Sequence, residues 1–294
     1  MKLSQCEIWA GDGTFRSVPA LFKQLYSLHA VIDEHTLPLV YILSSRKCKT
    51  VYQQILEKIK ELLPDNIKLC RMLTDYELSF VNAFKNVFID VHISGCFFHY
   101  TQCVWRNVQA KGLHELYDKN IRIAENIRML MAIAFVPTND VIAAYNELIK
   151  SKGYIQYENE LSEILDYFES TWIGILKRNK VDRNEPLFEI KLWNCYSSVL
   201  NDETRSNNGI EGWHRSFNAL VQVHHANIIK FVSALKSKQT ILELKLVQLN
   251  TGVPLPKRRC QYHNHDARLK TIVTAYNPNM KLQYLKNVAG VLRL

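Results

Sequence analysis

Apolar and polar positions follow different patterns in successive parts of the chain, and the first part predicts strands mixed with helices. Residues 23–33 and 36–44 are rich in aromatic and branched side chains, and the short polar join at 33–35 predicts an antiparallel hairpin. Four apolar residues between positions 51 and 62 recur at helical spacing. The predicted elements are strands at 6–10, 23–33 and 36–44, a helix at 50–63, a strand at 67–73, a helix at 76–87, a strand at 91–98 and a helix at 100–111.

Residues 113–205 have a different pattern, because their apolar residues recur only at helical spacing. Three such stripes begin at Ile121, Val141 and Leu161, so we predict a helical insertion of about 90 residues. After residue 205 the spacing predicts two more helices, and a basic tail follows them. The expected domains are a first part of the core at 1–112, the insertion at 113–205, the closing helices of the core at 206–250 and a basic C-terminal extension at 251–294.

The order of the first elements indicates a fold class. The order strand, strand, strand, helix, strand, helix, strand, helix is that of an RNase H-like core. We therefore predict an α/β protein whose RNase H-like, mixed five-stranded sheet has flanking helices and is interrupted by the helical insertion.

Composition narrows the class of protein. Of the 294 residues, 47% are apolar and 22% are charged, which is typical of a globular chain. The longest stretch without a charged residue, 91–105, is too short to cross a bilayer, and residues 1–6 lack the apolar core of a secretory signal. The net charge of +9 favours a polyanionic partner such as nucleic acid. Seven scattered cysteines are typical of reduced thiols in the cytosol or nucleus.

Three acidic residues are the candidates for chemistry, and each also has a structural explanation. Asp12 follows the first predicted strand in an Asp-Gly pair, which is common in turns. Asp75 follows the fourth strand, where Thr74 and Glu77 are spaced as a helix-capping box. Glu211 opens a predicted helix three residues after Asn208, which is again a capping spacing.

The arrangement of these acids favours a metal site over three separate caps and turns. Asp12 and Asp75 follow buried strands that should lie side by side, and Glu211 begins the element after the insertion. Phosphodiester cleavage can use two divalent ions about 3.5–4 Å apart. Mg²⁺ and Mn²⁺ prefer such hard oxygen ligands. We therefore expect the three residues to bind two such ions and to be catalytic.

A fourth motif, Cys96-x-x-His99, has the spacing of half a zinc site. Cys260, His263 and His265 are candidates for the other half, but they are far away in sequence, so we expect no zinc. The alternatives are that Cys96 packs in its strand with His99 at the strand–helix junction, or that these residues hold DNA near the acids.

Further side chains are candidates for either DNA contact or a structural role. They are Trp105 beside the Cys-x-x-His motif, and His214 and Arg215 beside Glu211. His214 lies on nearly the same side of the helix as Glu211, so it either contacts a phosphate or metal-bound water, or is an interior histidine. The lysines of the helix at 228–249 form either a solvated face or a DNA contact. Residues 257–259, Lys-Arg-Arg, are a candidate nuclear import signal.

Taken together, these motifs resemble the transposases of Mutator-like elements, the MULE transposase family. The matching stretches are Trp-Ala-Gly-Asp-Gly-Thr-Phe at 9–15, Leu-Thr-Asp-Tyr-Glu at 73–77, Gly-Cys-Phe-Phe-His-Tyr-Thr-Gln at 95–102 and Asn-Asn-Gly-Ile-Glu-Gly-Trp-His-Arg at 207–215. The resemblance implies a DDE catalytic core with Asp12, Asp75 and Glu211 as its metal-binding triad. It also implies hydrolysis at transposon ends, then attack of the freed 3′-hydroxyl on target DNA.

The resemblance also sets expectations for partners and location. It implies a nuclear protein that binds DNA as a homo-oligomer, with no membrane and no organic cofactor. Members of the family often carry a zinc-binding recognition module before the core, and we expect none here because Asp12 is the twelfth residue. The alternative is therefore a catalytically inactive or truncated transposon-derived protein that binds DNA or other proteins. An unrelated nuclease of RNase H-like fold is a second alternative.

Overall fold

A mixed five-stranded sheet forms the centre of the first part of the chain. The computed structural model describes residues 2–32, 35–179, 181–254 and 260–292. The strands are β1 at Ile8–Thr14, β2 at Gln24–Ile32, β3 at His35–Ser44, β4 at Arg71–Thr74 and β5 at His92–Gly95. They lie in the order β3-β2-β1-β4-β5. β2 is antiparallel to both β1 and β3, whereas β4 is parallel to β1 and β5 is parallel to β4. The predicted mixed sheet is confirmed, including the hairpin, whose join at 33–34 lies outside the described residues.

Helices account for most of the remaining described chain. They are α1 at Lys49–Leu62, α2 at Leu78–Val87, α3 at Phe97–Ala110, α4 at His114–Lys119, α5 at Ile121–Ala132, α6 at Val141–Ile149, α7 at Lys152–Gln156, α8 at Glu158–Phe168, α9 at Ile190–Trp193, α10 at Tyr196–Leu200, α11 at Asn208–Val221, α12 at Ile228–Asn250, α13 at Cys260–Thr274 and α14 at Lys281–Val291. None of the described helices combines the length and the apolar character that a membrane crossing requires.

The first strand is longer than the sequence predicts, and this corrects the interpretation of Asp12. The strand was expected to end near residue 10, with Asp-Gly as a turn. Instead β1 pairs with β2 as far as Thr14, so Asp12 lies inside the strand. The flanking glycines serve close packing, because a Cβ atom on Gly11 would come within 2.7 Å of both Met72 Cε and Tyr26 Oη. Glycines are common both in turns and in strands that another chain segment approaches closely, so the local sequence does not distinguish the two.

Two other boundaries differ from the prediction. β4 begins at Arg71 instead of residue 67. In the preceding chain, Lys68 N donates to Ser4 O and Cys70 N to Glu7 O, so these amides bond to the N-terminal segment before the ladder of β1 and β4 begins. The capping box of Thr74 and Glu77, which was the structural alternative for this segment, does not form before α2. Glu77 is the N-cap residue and makes no side-chain capping bond, while its backbone N–H donates to Asp75 Oδ1 at 3.3 Å.

The chain divides into two compact units, of which the first contains the sheet. This unit comprises the described residues of Met1–Cys96 and Ser206–Arg258. Side chains alternate along each strand, so the two faces of the sheet carry different residues. One face packs against α1 and α2 through aromatic rings, such as Tyr26 against Phe80 with a centroid distance of 4.7 Å. The other face bears Leu25, which packs in an apolar cluster with Phe217 of α11 and Phe231 of α12. Asp12 belongs to this second face.

The second unit comprises the described residues of Phe97–Arg205 and Arg259–Leu294 and contains only helices, with one isolated bridge from Leu176 to Arg183. Its core is aromatic, with Tyr100 stacked on Trp193 at a centroid distance of 5.5 Å. Arg183 is buried and donates to Glu169, Asn146 and the Gly174 carbonyl oxygen. These bonds hold the Arg183 side chain in place within this unit. The tail beyond residue 259 packs within this unit as α13 and α14.

Candidate active site

Asp12 lies on the face of the sheet that packs against α11. Its side chain is almost fully buried, with 6% of the residue exposed. One carboxylate oxygen, Oδ1, accepts a hydrogen bond from the Gly13 backbone N–H at 2.8 Å. The other, Oδ2, lies 3.5 Å from His214 Nδ1. Both oxygens are thus oriented by neighbouring groups, so the carboxylate is held in one direction.

Glu211 is held above this face by the first turn of α11. The residue before the helix, Asn207, is fully buried and forms a reciprocal pair with Cys96 at the end of β5. The Cys96 thiol donates to Asn207 Oδ1 at 2.9 Å and accepts from Asn207 N at 3.3 Å. Gly209 lies against β3, since a Cβ atom there would be 2.3 Å from Thr36 Oγ1. The start of α11 is therefore tied to two strands of the sheet.

These two placements bring Asp12 and Glu211 together, although 198 residues separate them in sequence (211 − 12 − 1). A carboxylate oxygen of Asp12 and one of Glu211 lie within 4.8 Å of each other. Two oxygens on opposite sides of one Mg²⁺ ion are about 4.2 Å apart, twice its usual bond length. The pair therefore has the ligand type and the spacing that one divalent ion requires.

Asp75 lies beside this pair, at the end of the neighbouring strand. The parallel ladder of β1 and β4 ends with Ala10 opposite Leu73, and Asp12 and Asp75 each come two residues after that pair. No Asp75 oxygen belongs to the group of ligand atoms within 4.8 Å of one another that contains Asp12 and Glu211. The structure thus joins two of the three predicted acids closely and places the third one residue beyond the end of the adjacent strand.

The buried Tyr26 hydroxyl is close enough to Asp75 and Asp12 for their negative charges to affect its pKa. Tyr26 projects to the opposite face of the sheet, where its hydroxyl lies 3.3 Å from Thr74 Oγ1. Burial, followed by the negative charges of Asp75 and Asp12, raises the pKa of Tyr26 well above its usual value. Tyr26 therefore stays neutral at physiological pH and adds no further negative charge near the acids.

A chain of polar side chains runs beneath Asp12, and sequence reasoning missed most of it. His214 Nε2 lies 3.2 Å from Ser27 Oγ, which in turn lies 2.9 Å from His29 Nε2. Ser27 is directly opposite Asp12 in the ladder of β1 and β2. The only signal in the sequence was that two polar residues, Ser27 and His29, alternate within an apolar strand. Burial, and then the nearby His214, lowers the pKa of His29 well below its usual value.

Aromatic packing fixes the rotation of α11 that presents these groups. Trp213 stacks on Tyr41 of β3 and on Phe217 one turn further along the helix, at centroid distances of 5.5 and 5.2 Å. His214 consequently faces inward and is buried, in the interior position that was one of its two predicted alternatives. Arg215 is exposed on the same helix.

The remaining candidates are distributed between the two units. Cys96 is buried in the first unit against Asn207, whereas His99 lies in the first turn of α3 in the second unit. Trp105, also on α3, packs edge-on against Tyr117 at a centroid distance of 4.8 Å. The side chain of Cys260 and the basic residues 257–259 lie outside the described part of the chain.

Comparison with known families agrees with the order of these elements. Residues 8–103, about a third of the chain, match the family model described as the MULE transposase domain. This region of the chain is similar to a MULE transposase domain. The match runs from β1 into α3, so the matched region includes Asp12, Asp75, Cys96 and His99, while Glu211 lies beyond it. A search of curated proteins finds no match.

Proposed function

We propose that this protein is the catalytic part of a DDE-type DNA transposase, which hydrolyses phosphodiester bonds at transposon ends and joins the freed 3′ ends to target DNA. The observation that carries the proposal is the approach of Asp12 and Glu211 carboxylate oxygens to within 4.8 Å, with Asp75 directly after the neighbouring strand β4. The MULE transposase domain adds a family in which the substrate is DNA. The net charge of +9 favours the same polyanionic substrate.

The sheet topology supports an RNase H-like core for this reaction. Three antiparallel strands are followed by two strands parallel to β1, in the order β3-β2-β1-β4-β5. The acids then come from the central strand, from the end of its parallel neighbour and from a helix that follows the helical insertion. Such an arrangement gathers distant chain segments at one place on a rigid sheet, as a metal-dependent site requires.

The donor set fits hard divalent cations. Asp12 and Glu211 offer carboxylate oxygens, which Mg²⁺ and Mn²⁺ prefer, and Asp75 offers a third. When bound, two such ions supply activation of the attacking oxygen and stabilisation of the leaving oxygen. Cys96 is engaged with Asn207.

The protein's own residues contribute rigidity to this site. His214 holds Asp12 Oδ2, and the Gly13 amide holds Asp12 Oδ1, so the carboxylate is oriented before any ion binds. The Cys96–Asn207 pair fixes the start of α11 and with it Glu211. We also infer that the protein acts in the nucleus and as at least a dimer on DNA, because its substrate is there and two transposon ends must be brought together.

A cleavage assay tests the proposal. The purified full chain is incubated with Mn²⁺ and supercoiled plasmid DNA, and nicked, linear and joined products are separated on gels. We expect Asp12→Asn, Asp75→Ala and Glu211→Gln each to reduce nicking by at least 100-fold. Glu243→Gln removes a carboxylate from the exposed surface of α12 and is the matched control.

The products and controls separate the proposal from its alternatives. Joined products support a transposase, whereas nicking without joining supports an unrelated nuclease. Equal cleavage by wild type and all three acid variants would show that the activity comes from a contaminant. DNA binding without any cleavage would favour a catalytically inactive, transposon-derived DNA-binding protein.

A further inference from the structure

A small cavity lies between α11, α12 and β3 within the first unit. Its volume is about 260 Å³, which is slightly below the roughly 300–1,000 Å³ typical of small-molecule sites. One side of its wall is apolar and includes Leu37, Pro38 and Leu242. Its lining also includes the polar side chains of Lys238 and Lys245 of α12 and Ser216 of α11. The cavity thus combines an apolar floor with a positively charged rim.

The two lysines of this rim lack a negative partner. Within the described chain, neither Lys238 nor Lys245 forms an ion pair with a carboxylate, and Lys238 donates to the neutral hydroxyl of Ser216. The positive charge of Lys245 and, to a greater extent, burial lower the pKa of Lys238. Two ammonium groups that face one cavity and repel each other are stabilised by an anion bound between them.

The wall formed by α11 leaves room for such an anion. Gly212 lines the cavity, and a Cβ atom built on it would have no heavy atom within 4 Å. The residues of α11 at the cavity are Gly209, Gly212, Trp213 and Ser216, which form one stripe along the helix. The open space beside Gly212 therefore continues directly to the lysines of α12.

This stripe is on the far side of α11 from the candidate active site. At 100° per residue, Glu211 and His214 point about 150° away from the middle of the stripe. An anion in the cavity would therefore be a different group from the phosphate that is cleaved. Loss of binding at this cavity can then be separated from loss of cleavage.

We propose that this cavity binds a phosphate group of a nucleic-acid backbone, remote from the cleaved bond, with Lys238 and Lys245 on the phosphate and the adjoining sugar against the apolar floor. That the phosphate belongs to a nucleic acid rests on the proposed function. Free inorganic phosphate could fill the same cavity, so the experiment tests both ligands.

The test compares two double variants of the full chain by fluorescence anisotropy, using a labelled duplex oligonucleotide in EDTA at several salt concentrations. Lys238→Gln/Lys245→Gln removes the cavity lysines, and Lys230→Gln/Lys236→Gln removes the same charge from exposed positions on the same helix. We expect the first pair to weaken binding by at least 10-fold and to reduce the salt slope by about 1, the value for one phosphate contact. We expect the second pair to weaken binding by less than 3-fold.

A third variant fills the cavity without removing either lysine. Gly212→Glu places a carboxylate in the open space beside Lys238, so we expect it to abolish the same contact and to keep or raise the melting temperature. Inorganic phosphate at millimolar concentration should raise the melting temperature of wild type but not of Lys238→Gln/Lys245→Gln. The nucleic-acid assignment is overturned if the oligonucleotide binds the cavity variants and wild type equally while inorganic phosphate still raises only the melting temperature of wild type.

Two further outcomes overturn the cavity itself. One is equal weakening by both lysine pairs, which would indicate general attraction to the helix surface. The other is unchanged binding in Gly212→Glu. Because the assay contains no divalent ion and needs no cleavage, the cavity can be confirmed even if the proposed catalytic function fails. Asp12→Asn, which disables the proposed active site, should bind the oligonucleotide with the same dependence on Lys238 and Lys245.

Discussion

At the scale of single residues, the most informative feature is the buried polar chain from Asp12 through His214 and Ser27 to His29. Buried polar groups are costly unless they are hydrogen-bonded, so a chain of this kind beneath an acidic pair must be stabilised by its own internal bonds. Its position explains how a carboxylate on a buried strand is kept in a fixed direction.

We expect His214→Ala to weaken divalent-ion binding without unfolding the protein. The imidazole orients Asp12 Oδ2, and groups that orient metal ligands in this way typically contribute 10–100-fold in affinity. A Mn²⁺ titration measures the effect, with the exposed His224→Ala on the loop after α11 as the matched control. Unchanged Mn²⁺ affinity in His214→Ala would mean that the histidine only fills the interior.

His29 predicts how stability depends on pH. Burial holds its folded-state pKa well below the usual value, so between the two pKa values the unfolded chain binds a proton that the folded protein excludes. Stability should therefore be complete above about pH 6.5 and fall as the pH drops below it. In urea unfolding between pH 7 and pH 5, His29→Gln should lose less stability than wild type, by at most about 1.4 kcal/mol per pH unit. Parallel curves for both proteins would contradict this account.

At the scale of elements, the join between β5 and α11 determines where Glu211 lies. At this join the Cys96 thiol donates to the Asn207 side-chain oxygen and accepts from the Asn207 backbone N–H. Both residues are fully buried, which makes their mutual bonds resistant to competition from water. A helix that begins so far along the sequence thus acquires a defined position on the sheet.

A pair of substitutions at Cys96 tests this join. Cys96→Ala leaves the buried Asn207 Oδ1 without its donor, so we expect a loss of about 1–3 kcal/mol in the free energy of unfolding. Cys96→Ser keeps a donor of similar size and should lose less. Chemical denaturation measures both variants. If serine is as destabilising as alanine, packing of the sulfur and not its hydrogen bond is what stabilises the join.

The elements also show why some of the fold was predictable and some was not. Apolar runs and helical stripes predicted the order of all five strands, because each signal is local. The length of β1 was not predictable, since Gly11-Asp12-Gly13 has the composition of a turn and only contact with Tyr26 and Met72 reveals why glycine is needed. The role of Ser27 was equally hidden, because it depends on the register that places it opposite Asp12.

At the scale of the whole molecule, the protein divides into two units. The sheet-containing unit is formed by two chain segments, one before and one after the long helical segment, and the other unit contains that helical segment. The sequence predicted the insertion from its helical periodicity. The sequence did not predict that the tail would pack with the insertion, because nothing in the sequence of α13 and α14 indicates which helices they contact. The acids, the polar chain and the lysine-rimmed cavity all belong to the first unit.

The central claim is that Asp12 and Glu211 hold the same divalent ion, and calorimetric titration of the full chain with Mn²⁺ tests it most directly. We predict that Asp12→Asn and Glu211→Gln each weaken binding by at least 10-fold, that combining them adds little because the ion is shared, and that Glu243→Gln binds as wild type. Binding by Glu211→Gln that equals wild type would contradict the claim, since Glu211 would then have no part in holding the ion.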